Sequence, residues 1–162
     1  MSITHEEIMK QAISRAQATM RNNIGGPFGA AIIDTEGNIV AVASNTVLGD
    51  HDPTAHAEVN AIRQACKHLK THDLSGHVLY ATGYPCPMCL SAIIWANIKT
   101  VYYGCTPKDA DAIGFRDDFI YDFINRVDLR EGNKEVLKLH NVARKECLQL
   151  FEEYSSTGKQ MY

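Results

Sequence analysis

The sequence predicts an α/β fold, a three-layer α/β/α sandwich around a five-stranded mixed sheet. Three observations lead there. Some segments carry apolar residues at helical spacing, and others are short continuous apolar runs bounded by turn residues. The two kinds alternate along the chain in the order α-β-β-α-β-α-β-α-β-α, which suits helices layered on a sheet. The first two strands are separated only by the turn Glu36-Gly37-Asn38, so an antiparallel hairpin sits inside an otherwise alternating order and the sheet is mixed.

The elements follow in turn. Thr4-x-x-Glu7 is a capping-box pattern and opens a helix running to about Asn22. Ile8, Ala12, Ile13, Ala16 and Met20 lie on one face of it. Gly25-Gly26-Pro27 breaks that helix. Phe28 to Ile33 and Ile39 to Ser44 read as the hairpin strands. A polar loop through Gly49-Asp50-His51-Asp52-Pro53 leads to a helix from about His56 to Leu69, with Val59, Ile62, Ala65 and Leu69 facing inward. Val78 to Thr82 is a third strand. Pro87 to Ala96 is a helix, because proline is tolerated in a first turn. Thr100 to Gly104 is a fourth strand, Asp117 to Ile124 a short helix, Val136 to Val142 a fifth strand, and Arg144 to Tyr154 the last helix. No repeat or linker-like tract interrupts the series, so residues 1–162 are expected to form a single domain.

Composition narrows the class. With 162 residues and 45% hydrophobic content the chain can bury one core. No apolar run reaches the ~20 residues that a bilayer span needs. The N-terminus, Met1-Ser2-Ile3-Thr4-His5-Glu6-Glu7, lacks a basic segment followed by an apolar one, so no signal peptide and a cytoplasmic location are expected. Sixteen basic and 19 acidic residues give a net charge of −3. A grip on a polyanion calls for a basic excess or stripe, so no nucleic-acid partner is expected. The odd count of five cysteines argues against a disulfide framework. Cys66, Cys105 and Cys147 read as buried thiols among apolar neighbours, whereas Cys86 and Cys89 form a CxxC pair.

His56, Cys86 and Cys89 make a zinc site, since imidazole and thiolate are ligands that zinc prefers. The helix start at Pro87 favours the thiolate form of both sulfurs. Three protein ligands leave a fourth position open, the mark of a catalytic rather than a structural ion. Glu58 lies two residues after His56, where a carboxylate can accept a proton from water without ligating the metal. A lone CxxC is equally a redox pair or half of a structural zinc knuckle, and a lone His-x-Glu carries almost nothing. Together and in this order, His56-Ala57-Glu58 and Pro85-Cys86-Pro87-Met88-Cys89 follow the H-x-E…P-C-x-x-C pattern of zinc deaminases.

At these residues the chain resembles the cytidine deaminase superfamily, and within it the guanine deaminase branch of zinc-dependent nucleobase deaminases. The likeness rests on Gly25-Gly26-Pro27-Phe28-Gly29-Ala30, Asp52-Pro53-Thr54-Ala55-His56-Ala57-Glu58 and Cys86-Pro87-Met88-Cys89-Leu90-Ser91-Ala92-Ile93. Ile113-Gly114-Phe115-Arg116-Asp117-Asp118-Phe119-Ile120 and the terminal Tyr162 point to the guanine branch. One departure stands out: many relatives carry Glu before the Pro-Cys pair, where this chain has Tyr84.

The resemblance implies a cytidine deaminase-like fold and hydrolytic deamination of a small purine base, guanine to xanthine plus ammonia. Zn2+ would supply hydroxide as the nucleophile and Glu58 would shuttle the proton, with Asp117 as a second catalytic acid beside the exocyclic amine. Asn45, Phe28, Ala57, Asp117 and Tyr162 would contact the base. From the residues alone, Asn45 also reads as a strand-end turn residue, Phe28 as core, Asp117 as a helix N-cap and Tyr162 as a frayed tail. The resemblance further implies a homodimer, with the C-terminal helix and tail (about 143–162) covering an active site. Three other readings remain: deamination of cytosine, guanosine or a related amino-heterocycle, deamination of adenosine in tRNA, and metal binding without catalysis.

Overall fold

The computed structural model of the protein describes residues 2–126, 136–158 and 160–162. The chain divides into two compact units, Met1–Asp117 and Asp118–Tyr162.

The first unit opens with α1 (His5–Arg21). Thr4 Oγ1 accepts from the Glu7 amide at 3.1 Å and the Glu7 carboxylate accepts from the Thr4 amide at 2.8 Å, a reciprocal cap that is worth about 1 kcal/mol. The buried face is Ile8, Ala12 and Ala16, while Ile13 and Met20 are exposed. The stripe is narrower than its periodicity suggests because the helix lies so close to the sheet. A Cβ on Gly29 would come within 2.0 Å of the Ala12 carbonyl oxygen, so only glycine lets the two backbones meet.

β1 (Gly29–Ile33) and β2 (Ile39–Ser44) form the expected antiparallel hairpin, from Gly29 opposite Ser44 to Ile33 opposite Ile39. After α2 (Val47–Asp50) and α3 (Ala57–Leu69) comes β3 (Val78–Gly83), which pairs antiparallel with β1. α4 (Pro87–Trp95) then carries the chain to β4 (Thr100–Cys105), which runs parallel to β3, and α5 (Pro107–Ala112) follows. The sheet is mixed, in the order β2-β1-β3-β4.

Alternate residues of each strand face opposite layers. Ala30, Ile32, Leu79 and Ala81 join Ala57, Ala61 and Ala65 of α3 and Ile93 of α4 in one core. Ala31 and Tyr80 join Ile8 and Ala12 of α1 in the other. The expected three layers are therefore present. Alanine dominates the contact with α3, which brings that helix close to the strands. Of its expected inward residues Ala65 is fully buried, but Leu69 is exposed at the last turn.

Two expectations need correction. The sheet among the described residues has four strands, not five. Val136 to Val142 forms no strand, and Val136, Leu137 and Val142 are exposed. A strand exists only with a partner for its N–H and C=O groups, and an apolar run does not reveal whether one is at hand. Of the three thiols expected to be buried, Cys66 is half-buried while Cys105 and Cys147 are exposed. Their apolar neighbours in sequence are themselves at the surface, Tyr103 before Cys105 and Leu150 after Cys147.

The second unit contains α6 (Asp118–Arg126) and α7 (Arg144–Ser156). Phe119, Ile124, Leu150 and Phe151 are exposed on them. The Tyr154 hydroxyl donates to the Gln160 carbonyl and ties the tail back to α7. No helix of the described residues is long and apolar enough to cross a membrane.

Candidate active site

Two helix starts build the centre. His56 directly precedes α3 and Cys86 directly precedes α4, both with extended backbones, and neither side chain caps its own helix. Each is therefore free to turn toward a shared point. Cys89 follows in the first turn of α4 and is fully buried. His56 Nδ1 lies 3.6 Å from Cys86 Sγ and 3.6 Å from Cys89 Sγ. One donor atom from each of the three residues lies within 4.8 Å of the others.

The donor set fits zinc. Bonds of ~2.0–2.1 Å to nitrogen and ~2.3 Å to sulfur at tetrahedral angles imply a nitrogen–sulfur edge of ~3.6 Å, the separation found for both sulfurs. The charges agree. With no cation, Cys86 is held down to about 4 by hydrogen bonds from Cys89 and His56, against burial, while the thiol of Cys89 is pushed far up by its bond to Cys86 and by burial. The bond to Cys86 likewise raises His56. Thiolates beside a divalent cation are held in their ionised form, so two sulfurs this close suit a shared metal.

Glu58, in the first turn of α3, is only 7% exposed. Burial raises its pKa above the usual carboxylate range, opposed by a hydrogen bond with Cys89. A buried carboxyl beside a metal centre, biased toward its protonated form, suits proton exchange more than a structural ion pair.

Asn45 follows the last residue of β2 and is 6% exposed. Its Oδ1 accepts from the Gly26 amide at 3.2 Å and the Val47 amide at 3.1 Å. Both oxygen bonds go to backbone, which fixes the orientation of the carboxamide; Nδ2 is its donor group. Asn45 thus bonds the turn backbone as its position suggests. Gly25 presses against it, since a Cβ there would lie 1.9 Å from the Asn45 carbonyl oxygen.

Phe28 is half-buried against the core and meets Phe115 edge-on, with ring centroids 5.0 Å apart. The Phe115 ring also reaches Gly26. Residues 25–28, 45 and 115 therefore form one cluster. Ala57 is fully buried in the core, and its backbone N–H, in the first turn of α3, is a group that the helix itself does not bond. Asp117 is half-buried just before α6. Tyr162 ends the second unit and is 84% exposed. Tyr84 packs edge-on against Tyr103 at 5.0 Å.

One residue escaped the sequence reading. Asn60, half-buried on α3, donates from Nδ2 toward Ser44 O, Thr46 Oγ1 and Ala55 O. Its one available signal was an asparagine, a poor helix former, inside a helix one turn after a metal ligand.

A mixed sheet that delivers His, Cys and Cys to one point, with a buried carboxyl beside them, defines a metal-dependent hydrolase. Residues 2–105 match the cytidine and deoxycytidylate deaminase zinc-binding region. The chain belongs to that family, and it is a zinc-binding enzyme that hydrolyses a carbon–nitrogen bond. It is 47% identical over 124 residues to guanine deaminase of Bacillus subtilis (strain 168), covering 76% of this chain and 79% of that protein. It is 35% identical over 119 residues to the tRNA-specific adenosine deaminase of Haemophilus influenzae, covering 73% and 68%. The X-ray structure of guanine deaminase from Bacillus subtilis superposes with a TM-score of 0.89 at 40% identity over 99% of both chains.

Proposed function

We propose that this protein is a guanine deaminase, converting guanine and water to xanthine and ammonia. The observation that carries the reading is the likeness to the Bacillus subtilis enzyme, which extends over 99% of both chains, the second unit included.

His56, Cys86 and Cys89 would hold the zinc, which would lower the pKa of water so that a nucleophile is available near neutral pH. The chain's own groups do the rest. Glu58 takes the proton of the attacking water and delivers it to the ring nitrogen beside C2. As the tetrahedral carbon collapses, the new hydroxyl becomes a carbonyl, Glu58 carries its proton to the amine, and the C–N bond breaks to release ammonia. The Asn45 Nδ2 donates to an acceptor on the base, with direction set by its two backbone bonds. Phe28 packs on the ring, the Ala57 N–H meets a polar edge, and Asp117 receives the exocyclic amine and relays a proton.

Residues 1–162 act as one deaminase domain in a cytoplasmic homodimer, with 143–162 and Tyr162 covering an active site, its own or a neighbour's. The exposed apolar residues of α6 and α7 support a covering role.

The net charge of −3 weighs against a tRNA substrate. Ammonia release from guanine, adenine, cytosine, guanosine and cytidine tests the assignment. Turnover of guanine is expected. Turnover of a different compound with guanine inert would keep the zinc deaminase and overturn the substrate.

A further inference from the structure

We infer that Asn60 is a positioning residue that sets the distance between the base anchor Asn45 and the metal; this rests on the reading that Asn45 contacts the base. Asn60 stands one helical turn after His56, and its amide donates to the His56 carbonyl at 2.9 Å. Its side chain reaches off α3 to the end of β2. Nδ2 lies 2.9 Å from Ser44 O, 2.9 Å from Thr46 Oγ1 and 3.3 Å from Ala55 O. Ser44 and Thr46 flank Asn45, so one carboxamide grips the chain on both sides of the anchor. It also grips Ala55, the residue just before the ligand His56.

The rest of the neighbourhood makes this grip decisive. The Thr46 amide donates to Ala55 O at 3.0 Å, and the Thr46 hydroxyl donates to Asp50 Oδ2 at 2.6 Å. The hydroxyl that Asn60 bonds is thus itself held. On the opposite side, Gly25 leaves no free space beside the Asn45 carbonyl. Asn45 therefore has two boundaries, a backbone wall at Gly25 and a hydrogen-bonded clamp from α3. Because the clamp and His56 share one rigid helix, a base held by Asn45 is held in register with the metal. Catalysis is sensitive to such register, since a displacement of ~1 Å can cost ~100-fold in rate.

Asn60→Leu keeps similar bulk and removes the donor. With full zinc occupancy and a cooperative thermal transition, it is expected to lower kcat for guanine about tenfold while KM changes less. The double variant with Asn45→Ala separates positioning from a merely structural role. If Asn60 acts through Asn45, Asn60→Leu costs little further kcat/KM once Asn45 is gone. Independent multiplication of the two losses, or unchanged kinetics in Asn60→Leu, would overturn the inference. Hydrogen exchange reads the clamp without any substrate. The Asn45, Thr46 and Val47 amides should exchange faster in Asn60→Leu, with those of β3 unchanged. If the parent enzyme leaves guanine untouched, the substrate reading fails and the exchange result still decides the clamp: faster exchange upholds it, unchanged exchange refutes it.

Discussion

The first unit of this chain encloses two apolar cores, and the described residues of the second leave their large apolar side chains mostly at the surface. In the first, Ile32, Leu79 and Tyr80 are enclosed between a sheet and helices on both faces. In the second, Phe151 is 73% and Val142 80% exposed. Both units contain helices with apolar residues on them, α1 and α3 in the first and α6 and α7 in the second. What separates them is whether neighbouring layers are supplied by adjacent chain. Local patterning makes an element, and a surrounding layer makes a core.

The sharpest break is expected at the catalytic centre of the first unit. Glu58→Gln should retain zinc and lose about 10²–10⁴-fold in kcat, because an amide cannot carry a proton. Cys86→Ser should lose turnover by losing the metal, through the thiolate on which the donor set depends. Elemental analysis beside steady-state rates separates the two, and near-native turnover by Glu58→Gln would remove that residue from the mechanism. Next comes packing. Leu79→Ala, fully buried on β3, should cost about 2–5 kcal/mol, and Leu150→Ala, exposed on α7, within about 0.5 kcal/mol. Chemical denaturation measures both, and a large loss at Leu150 would mean that the second unit finds its cover in another copy.

The smallest effect should come from Asp52. Hydrogen bonds from the Thr54 hydroxyl and amide, at 2.7 and 2.8 Å, hold its carboxyl below the usual range. A depressed folded value adds stability above the unfolded pKa of ~3.9, and that stability is lost as pH falls through the folded value. Asp52→Asn should therefore be slightly less stable than the parent at neutral pH and equal to it in strong acid. A constant difference across the acid range would reject this origin.

What was legible in the sequence follows the same division. The cap at Thr4 and Glu7 and the hairpin turn at Gly37 are local, the metal pattern is two short local runs, and each is where it was expected. The short α5 has its own capping box, Thr106 with Asp109, yet six residues give too little periodicity to register as a helix. The segment 136–142 misled because alternation signals competence to pair and says nothing about a partner. Asn60 was opaque for a related reason. Its meaning lies in three acceptors, at Ser44, Thr46 and Ala55, that only folding brings within its reach.

The parallel pairing of β3 and β4 sets Gly83 beside Cys105, and the Tyr84 amide donates to the Cys105 carbonyl at 2.8 Å. Both strands thus finish at the same rim, one running on into the thiolate ligands and the other into residues 106–117, whose Phe115 leans on Phe28. The two sulfurs and the ring that leans on Phe28 therefore come from different stretches of chain that share a border. Residues 106–114 can be exchanged or lengthened without re-laying a strand or moving His56, Cys86 or Cys89. They are the natural place for a lineage, or an engineer, to shift how Phe115 meets Phe28 while the metal ligands and Glu58 stay where they are.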